Sequence, residues 1–281
     1  MLGDIYVHKR ALPYGKNFLY LPEVNASDIS PQQIEELKEI AKRQKSIFTR
    51  LEILDRFNES SYKLIRSFGF EKAFEQVQPK WRQIINLNQS EEEISSQMKQ
   101  KGRYNIKVAQ KHDVLIKTSK DENAIKIFHQ LYMQTGEREK LSGRSIDYFK
   151  KMLDSFSETE YLEIYIAIYK NEPVAVAIIS FYDGVASYLY GGSSRSQKEV
   201  MAPYLMHWQI IKDAKSKGMT RYDMIGRAKP EDEKSKWAGV TRFKEQFGGE
   251  AVEILGSFDY VNQKFAYTLF KIAEKRRRKS D

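Results

Sequence analysis

The residues best suited to chemistry lie near the C-terminal end of the chain, in the stretch KWAGVTRFKEQFGGE at positions 236–250. One tryptophan, two phenylalanines, three glycines and three cations share these fifteen residues. The pattern predicts a short helix over residues 241–247 that ends at Gly248. Phe243 and Phe247 share one face of that helix, so at least one of them anchors it in a core. Lys244 follows Phe243 directly and places an ammonium group beside an aromatic ring.

A second group of cations has the spacing of a helix face. Arg103, Lys107 and Lys111 recur every four residues and predict a basic stripe, which Lys99 extends by one turn. Such a stripe could track RNA phosphates or a diphosphate. A face that is merely solvated has the same spacing, and both interpretations stay open.

Several classes of chemistry lose support from the composition. The chain has no cysteine, which excludes disulfides, thiol catalysis and thiolate metal sites. Its four histidines have no metal-ligand spacing, and neither a Gly-x-Ser-x-Gly elbow nor a phosphate-binding P-loop occurs. The residues therefore give no support to a metal site.

Charge and hydropathy indicate the compartment and the kind of partner. No apolar run approaches the roughly 18 residues that span a bilayer, and we expect a soluble cytoplasmic protein. The net charge is +9, from 47 Lys and Arg against 38 Asp and Glu. This excess favours RNA, phosphorylated small molecules or an anionic membrane as partners, although an inert basic surface is the alternative.

The elements that must position these residues follow from periodicity and turn residues. Residues 27–46, with Pro31 near the first turn, and residues 91–113 are predicted to be helices, and residues 47–56 a strand. Two further helices precede three antiparallel strands between residues 161 and 194, followed by a helix ended by Gly218 and a strand at 219–226. This order predicts mixed sheets with flanking helices, compatible with the fold of the acetyl-CoA-dependent N-acetyltransferases (GNAT).

An internal echo suggests that one α/β module occurs twice. A basic amphipathic helix leads into Thr49-Arg50-Leu51-Glu52, and a second one leads into Thr220-Arg221-Tyr222-Asp223. A tandem repeat would produce this similarity, and chance would as well. The loop before the second helix, at residues 195–201, lacks the glycines that let backbone N–H groups approach the pyrophosphate of CoA. We therefore expect the fold without a CoA site.

Four stretches resemble the Fem-type (FemABX) peptidyltransferases of peptidoglycan synthesis. They are KWAGVTRFKEQFGGE, MKQKGRYNIKVAQKHDV, YLYGGSSRS and APYLMHWQIIKDAKSKGMTRYDMIG, and the similar order covers residues 78–270. The resemblance implies two tandem GNAT-like domains, predicted here at 1–110, with the helix at 258–281 packing back on it, and at 111–257. It also implies transfer of Gly, Ala or Ser from an aminoacyl-tRNA to the side-chain amine of the third stem-peptide residue, with no metal and no cofactor.

The resemblance also implies roles for individual residues. Because an aminoacyl ester is already activated, the reaction needs an oriented amine and a donor for the developing oxyanion, and Lys244 is the candidate donor. Phe243 would meet the acylated adenosine of the tRNA. The tRNA-binding candidates are Lys99, Arg103, Lys107, Lys111 and Arg242.

The acceptor is expected to be a UDP-linked or lipid-linked muropeptide. The residues implied for its diphosphate and sugar are Thr135, Arg138, Tyr148 and Tyr190. Asp223 could accept a proton from the attacking ammonium, but a structural role fits it better. The basic run at 274–281 is typical of a disordered tail; contact with tRNA or an anionic membrane is the functional alternative. Two rival functions remain: a CoA-dependent N-acyltransferase and a non-catalytic RNA-binding module.

Overall fold

The fold is taken from a computed structural model, which describes residues 5–139 and 142–280, the last four without their side chains. The chain divides into two compact units, Met1–Trp81 with Val252–Asp281, and Arg82–Ala251. These bounds differ from the predicted 110/111 and 257/258. The reason is that residues 82–110 supply buried side chains, such as Ile94 and Ile106, to the core of the second unit.

The bounds of the elements show which parts of the chain were anticipated. Within the described residues the strands are β1 His8–Ala11, β2 Asn17–Val24, β3 Phe48–Arg56, β4 Glu71–Lys72, β5 Trp81–Asn86, β6 Leu115–Ser119, β7 Leu162–Tyr169, β8 Glu172–Tyr182, β9 Val185–Ser193, β10 Arg221–Gly226 and β11 Glu250–Val261. The α-helices are α1 Pro31–Arg43, α2 Glu59–Ser67, α3 Glu91–Gln97, α4 Gln100–Lys111, α5 Glu122–Glu139, α6 Ile146–Asp154, α7 Ala202–Ser216, α8 Ala238–Lys244 and α9 Lys264–Ser280. None of these helices is both long and apolar enough to cross a bilayer.

The first unit is a mixed sheet with α1 against it. β2 pairs with β1 antiparallel and with β3 parallel, and β11 runs antiparallel to β3 and to the short β4. Ser30 and Gln33 form a capping box at the start of α1. Pro31 lies in the first turn, where a backbone N–H has no partner within the helix, so its missing N–H costs no hydrogen bond. Ile34 and Leu37 are buried on the sheet side of this helix.

The second unit is a six-stranded mixed sheet in the order β5-β10-β9-β8-β7-β6, in which only β9 and β10 are parallel. Side chains of β8 alternate between two cores: Ala175 and Ala177 pack with α4 and α7, whereas Val176 and Ile178 pack with α5 and α6. The sheet is therefore covered by helices on both faces, and β9, inside the sheet, has a helical layer on each side.

The internal echo corresponds to a repeated topology. In each unit a helix, α1 or α7, leads into a strand, β3 or β10. Each of these strands pairs parallel with the strand before the helix and antiparallel with a strand on its other side. This arrangement fits the predicted duplication of one α/β module.

Two predicted features are wrong in detail. The single helix expected over residues 91–113 is broken between α3 and α4, where Met98 has extended backbone. The Arg103 guanidinium donates to carbonyl oxygens at the end of α3, and Lys99 N donates to Gln246 O at 3.2 Å. The prediction of a disordered tail at 274–281 is also wrong, because α9 continues to Ser280.

Candidate active site

The aromatic and basic stretch forms the helix that was predicted, with shifted bounds. α8 begins at Ala238, a 3₁₀ turn follows at Glu245–Phe247, and Gly248 ends it with φ +74°. Phe247 is fully buried and contacts the rings of Tyr204 and His207. Phe247 is therefore the residue that anchors this segment in the core. Its burial fixes the directions in which the neighbouring side chains of α8 point.

Lys244 is buried rather than solvated. Its side chain is 4% exposed, and its Nζ donates a hydrogen bond to Gly226 O at 2.5 Å. Burial lowers the pKa of Lys244 to about 8; the Asp223 carboxylate opposes this shift and Arg227 adds to it. The Lys244 ammonium thus lies in a site where water does not weaken a hydrogen bond to a negative oxygen.

The carbonyl that Lys244 contacts lies on a distorted strand end. Near the end of β10, Ile225 has φ +57°, which is unusual for a β-branched residue, and the register with β5 shifts there. Asp223 Oδ1 accepts from Ile225 N at 2.6 Å, while Asp223 Oδ2 accepts from Arg82 at 2.7 Å. Both carboxylate oxygens of Asp223 are therefore in use, which favours the structural role over proton acceptance.

A charged network supports the same helix. Arg227 pairs with Glu245 at 2.8 Å and also contacts Gln83, and Lys99 pairs with Glu245 at 2.7 Å. The hydrogen bond from Lys99 lowers the pKa of Glu245, and the charge of Arg227 acts in the same direction. Sequence reasoning missed Arg227, whose partners lie 18 and 144 positions away.

Phe243 lies at the edge of an aromatic cluster. Its ring is half-buried, with ring centroids 5.1 Å from Tyr204 and 5.4 Å from His207. His207 bonds to the Tyr222 hydroxyl at 2.8 Å, and burial together with Lys244 lowers the pKa of His207 to about 3. This histidine is therefore neutral and structural.

The residues predicted for the muropeptide form two separate groups, which meet β9 at Tyr190 and at Ser193. The Tyr148 and Tyr190 hydroxyls are 3.0 Å apart, and the Arg144 guanidinium lies 5.4 Å from the centre of the Tyr148 ring. Burial raises the pKa of Tyr190, and the Tyr148 hydroxyl adds to that effect. The sequence analysis did not predict a role for Arg144. It chose Arg138 as the ligand-binding arginine of the same segment.

Thr135 and Arg138 bind the end of β9 instead. Thr135 Oγ1 accepts from Ser193 N at 2.9 Å, and Arg138 Nη1 donates to Ser193 O at 3.1 Å. Tyr190 packs on the α5/α6 face of the sheet, whereas Tyr188, whose ring centre is 6.0 Å from Lys244 Nζ, packs on the α4/α7 face. Phe243 packs in the same cluster as Tyr188, and Lys244 Nζ lies over the Tyr188 ring, whereas Tyr190 packs in the α5/α6 cluster.

The predicted RNA-binding cations are placed unequally. Lys107 and Lys111 are exposed on α4, and Arg242 is exposed on α8. Arg103 is half-buried against α3 carbonyls, and Lys99 is paired with Glu245. Two members of the stripe therefore stabilise the protein's own structure.

Comparisons with known proteins agree with this fold. The FemAB family matches residues 23–169 and 160–275. The lipid II:glycine glycyltransferase of Staphylococcus epidermidis is 23% identical over 93% of this chain and 80% of its own. A crystal structure of FemX has a TM-score of 0.85 at 19% identity, covering 95% of this chain and 91% of that one.

The acetyltransferase-like architecture predicted from the sequence is confirmed. A tandem GNAT protein from the clavulanic acid biosynthesis pathway has a TM-score of 0.50 at 8% identity, covering 91% of this chain and 78% of its own. Because the family match extends over most of the sequence, the chain belongs to the FemAB family.

Proposed function

We propose that this protein transfers an aminoacyl group, glycyl foremost, from aminoacyl-tRNA to the third-residue side-chain amine of a peptidoglycan stem peptide. The name of the Staphylococcus epidermidis relative supports glycine and a lipid-linked acceptor. The observation that carries the proposal is the buried Lys244 ammonium, 2.5 Å from Gly226 O.

The reaction needs little from the protein beyond position and charge. The acceptor amine attacks the ester carbonyl and a C–N bond forms. The C–O bond to the tRNA ribose then breaks, and the ribose oxygen leaves with the proton that the amine nitrogen gives up. Between these events the carbonyl oxygen carries negative charge, and the Lys244 ammonium would turn from the Gly226 carbonyl to this oxyanion. Phe243, at the edge of the aromatic cluster, would stack on the terminal adenine.

Muropeptide binding is assigned to Tyr148, Tyr190 and Arg144. An exposed guanidinium beside two linked phenols offers a planar fork for a diphosphate and hydroxyls for a sugar. Thr135 and Arg138, the other two residues predicted for this ligand, are engaged with Ser193. They would have to exchange these backbone contacts for the ligand.

The decisive experiment offers the protein tRNAs charged with Gly, Ala or Ser, together with a UDP-linked or lipid-linked pentapeptide precursor. Mass spectrometry should find the precursor extended by one aminoacyl group, and Lys244→Met should lower the rate of product formation about a hundred-fold or more while its circular dichroism stays that of the folded protein. Acetylation from acetyl-CoA instead would favour the CoA-dependent rival. Binding of tRNA without any product would favour the RNA-binding module.

A further inference from the structure

Helix α9 is held against the first unit by one aromatic face. The Tyr267 and Phe270 rings lie 5.2 and 4.9 Å from the Phe48 ring, and Phe270 also meets Phe74 at 6.0 Å. The Tyr267 hydroxyl donates to Asp259 Oδ2 at 2.6 Å. These contacts fix the rotation of α9 about its axis, so the direction of its other face is determined.

The opposite face of α9 is apolar and exposed. Phe265, Leu269 and Ile272 are 79%, 52% and 46% exposed, and their spacing of four and three residues places them in one stripe. A single exposed apolar residue is ordinary, but three in a row along a helix mark a surface that contacts something apolar.

The same helix is strongly cationic. Residues 264–280 contain seven lysines and arginines against one acid, Glu274. Lys264, Lys275 and Arg276 are exposed. An apolar stripe on a helix rich in cations is the pattern of helices that lie in the interface of anionic membranes.

A basic cavity adjoins the start of this helix. It has a volume of about 680 Å³, and Asn262 and Gln263, directly before α9, form part of its wall. Its charged lining is Lys16, Lys38, Lys42, Lys45, Glu35 and Glu39. Lys38 Nζ forms an ion pair with Glu35 Oε1 at 2.8 Å, whereas Lys16, Lys42 and Lys45 are exposed. The excess of positive charge suits a phosphate headgroup.

We infer that the apolar stripe of α9 and the adjoining lysine cavity form a docking surface for a membrane that contains anionic phospholipids. RNA would leave Phe265, Leu269 and Ile272 unused, and a second copy of this chain would bring like charges together. The inference deepens the proposed function, because a lipid-linked acceptor resides in a membrane, but its test does not require activity.

The test is cosedimentation of the full chain with vesicles of phosphatidylcholine alone or with phosphatidylglycerol added. We expect binding only to the anionic vesicles, weakened by added salt. The variant F265S/L269S/I272S should lower the partition coefficient about ten-fold or more, and K16E/K42E/K45E comparably. The control L64S changes an exposed leucine on α2, in the same unit, and should bind like the unaltered protein.

Several results would overturn the inference. They are equal binding to both vesicle types, no binding to anionic vesicles, or full binding by the serine variant with its circular dichroism unchanged. Loss of self-association or of tRNA binding in that variant, with vesicle binding unaffected, would assign the stripe to another partner. Transfer to a soluble UDP-linked acceptor, measured in parallel, separates this outcome from failure of the proposed function: docking variants should retain it, and an inactive protein that still binds vesicles refutes only the activity.

Discussion

At the scale of single residues, Lys244 combines a charge with an environment that opposes it. Burial lowers its pKa from 10.5 to about 8, although Asp223 lies close enough to favour the charged form. A lysine with such a pKa loses its proton within the range where enzymes are assayed. The charge that the proposed mechanism requires is therefore sensitive to pH in a way that an exposed lysine would not be.

The first prediction is a descending limb in the pH profile of transfer. If protonated Lys244 stabilises the oxyanion, kcat should fall as pH rises through about 8. Lys244→Arg keeps its charge at all these pH values, so its lower activity should show no such limb. Lys244→Met should lose about a hundred-fold or more in kcat. A limb that persists in Lys244→Arg would assign the titration to another group.

The same shift has a consequence for stability. The folded state disfavours the lysine proton, so between about pH 8 and 10.5 the unfolded chain binds more protons than the folded one. The free energy of unfolding should therefore rise with pH across this window relative to Lys244→Met, which has no proton to lose. Urea denaturation of both proteins at several pH values measures the difference.

Residue types together with the family resemblance pointed to Lys244 as the candidate donor, but not to the residues that support it. The Phe-Lys pair and the following glycines carried that resemblance at positions 243–249. Arg82, Arg227 and Gln83 were not found, because each acts through a partner that is distant along the chain. The φ of +57° at Ile225 could not be predicted either, since nothing local favours it in a β-branched residue.

At the scale of elements, α4 and the turn after α8 approach very closely. A Cβ atom added to Gly102 would lie 2.3 Å from Gln246 O, a backbone atom that cannot move aside alone. This contact sets where the 3₁₀ turn at Glu245–Phe247 lies, and the turn holds Phe247 in the core. The break between α3 and α4 brings this glycine to its position.

The second prediction compares two glycine substitutions in helices. Gly102→Ala should cost about 2 kcal/mol of unfolding free energy and reduce transfer, because the turn after Lys244 must shift. Gly239→Ala, in α8, meets nothing within 4 Å and should stabilise by about 0.5 kcal/mol. Thermal and urea unfolding of both variants measure this. Equal effects would mean that the close approach at Gly102 does not exist.

Elements with strong local signals were predicted and those defined by distant pairing were not. The capping box of α1 and the turns between β7, β8 and β9 were readable. β5 and β11 were missed, because β5 exists through pairing with β10, some 135 residues later, and β11 through β3. The break in the helix at 91–113 likewise depends on Gln246, which lies on another element.

At the scale of the whole molecule, the repeated module explains the echo, and the net charge of +9 explains why anionic partners were expected. Net charge acts over long distances and does not say which cations touch a ligand. The exposure and the contacts of each side chain identify the available cations. Lys107 and Lys111 are exposed, whereas Arg103 donates hydrogen bonds to carbonyl oxygens of α3. Of the four cations that the sequence placed in the stripe, only Lys107 and Lys111 therefore remain candidates for contact with RNA.

The third prediction separates local contact from overall charge in tRNA binding. If Lys107 and Lys111 touch phosphates, K107Q/K111Q should lower the slope of log affinity against log salt by about 1.4 to 1.8 and leave the thermal midpoint unchanged. The control K63Q/K126Q removes the same charge from exposed lysines on α2 and α5, so it should weaken binding slightly and leave the slope nearly unaltered. Filter binding of uncharged tRNA at four salt concentrations gives both slopes. Equal slopes for the two double variants would mean that only the overall field attracts RNA and that the α4 lysines form a solvated face.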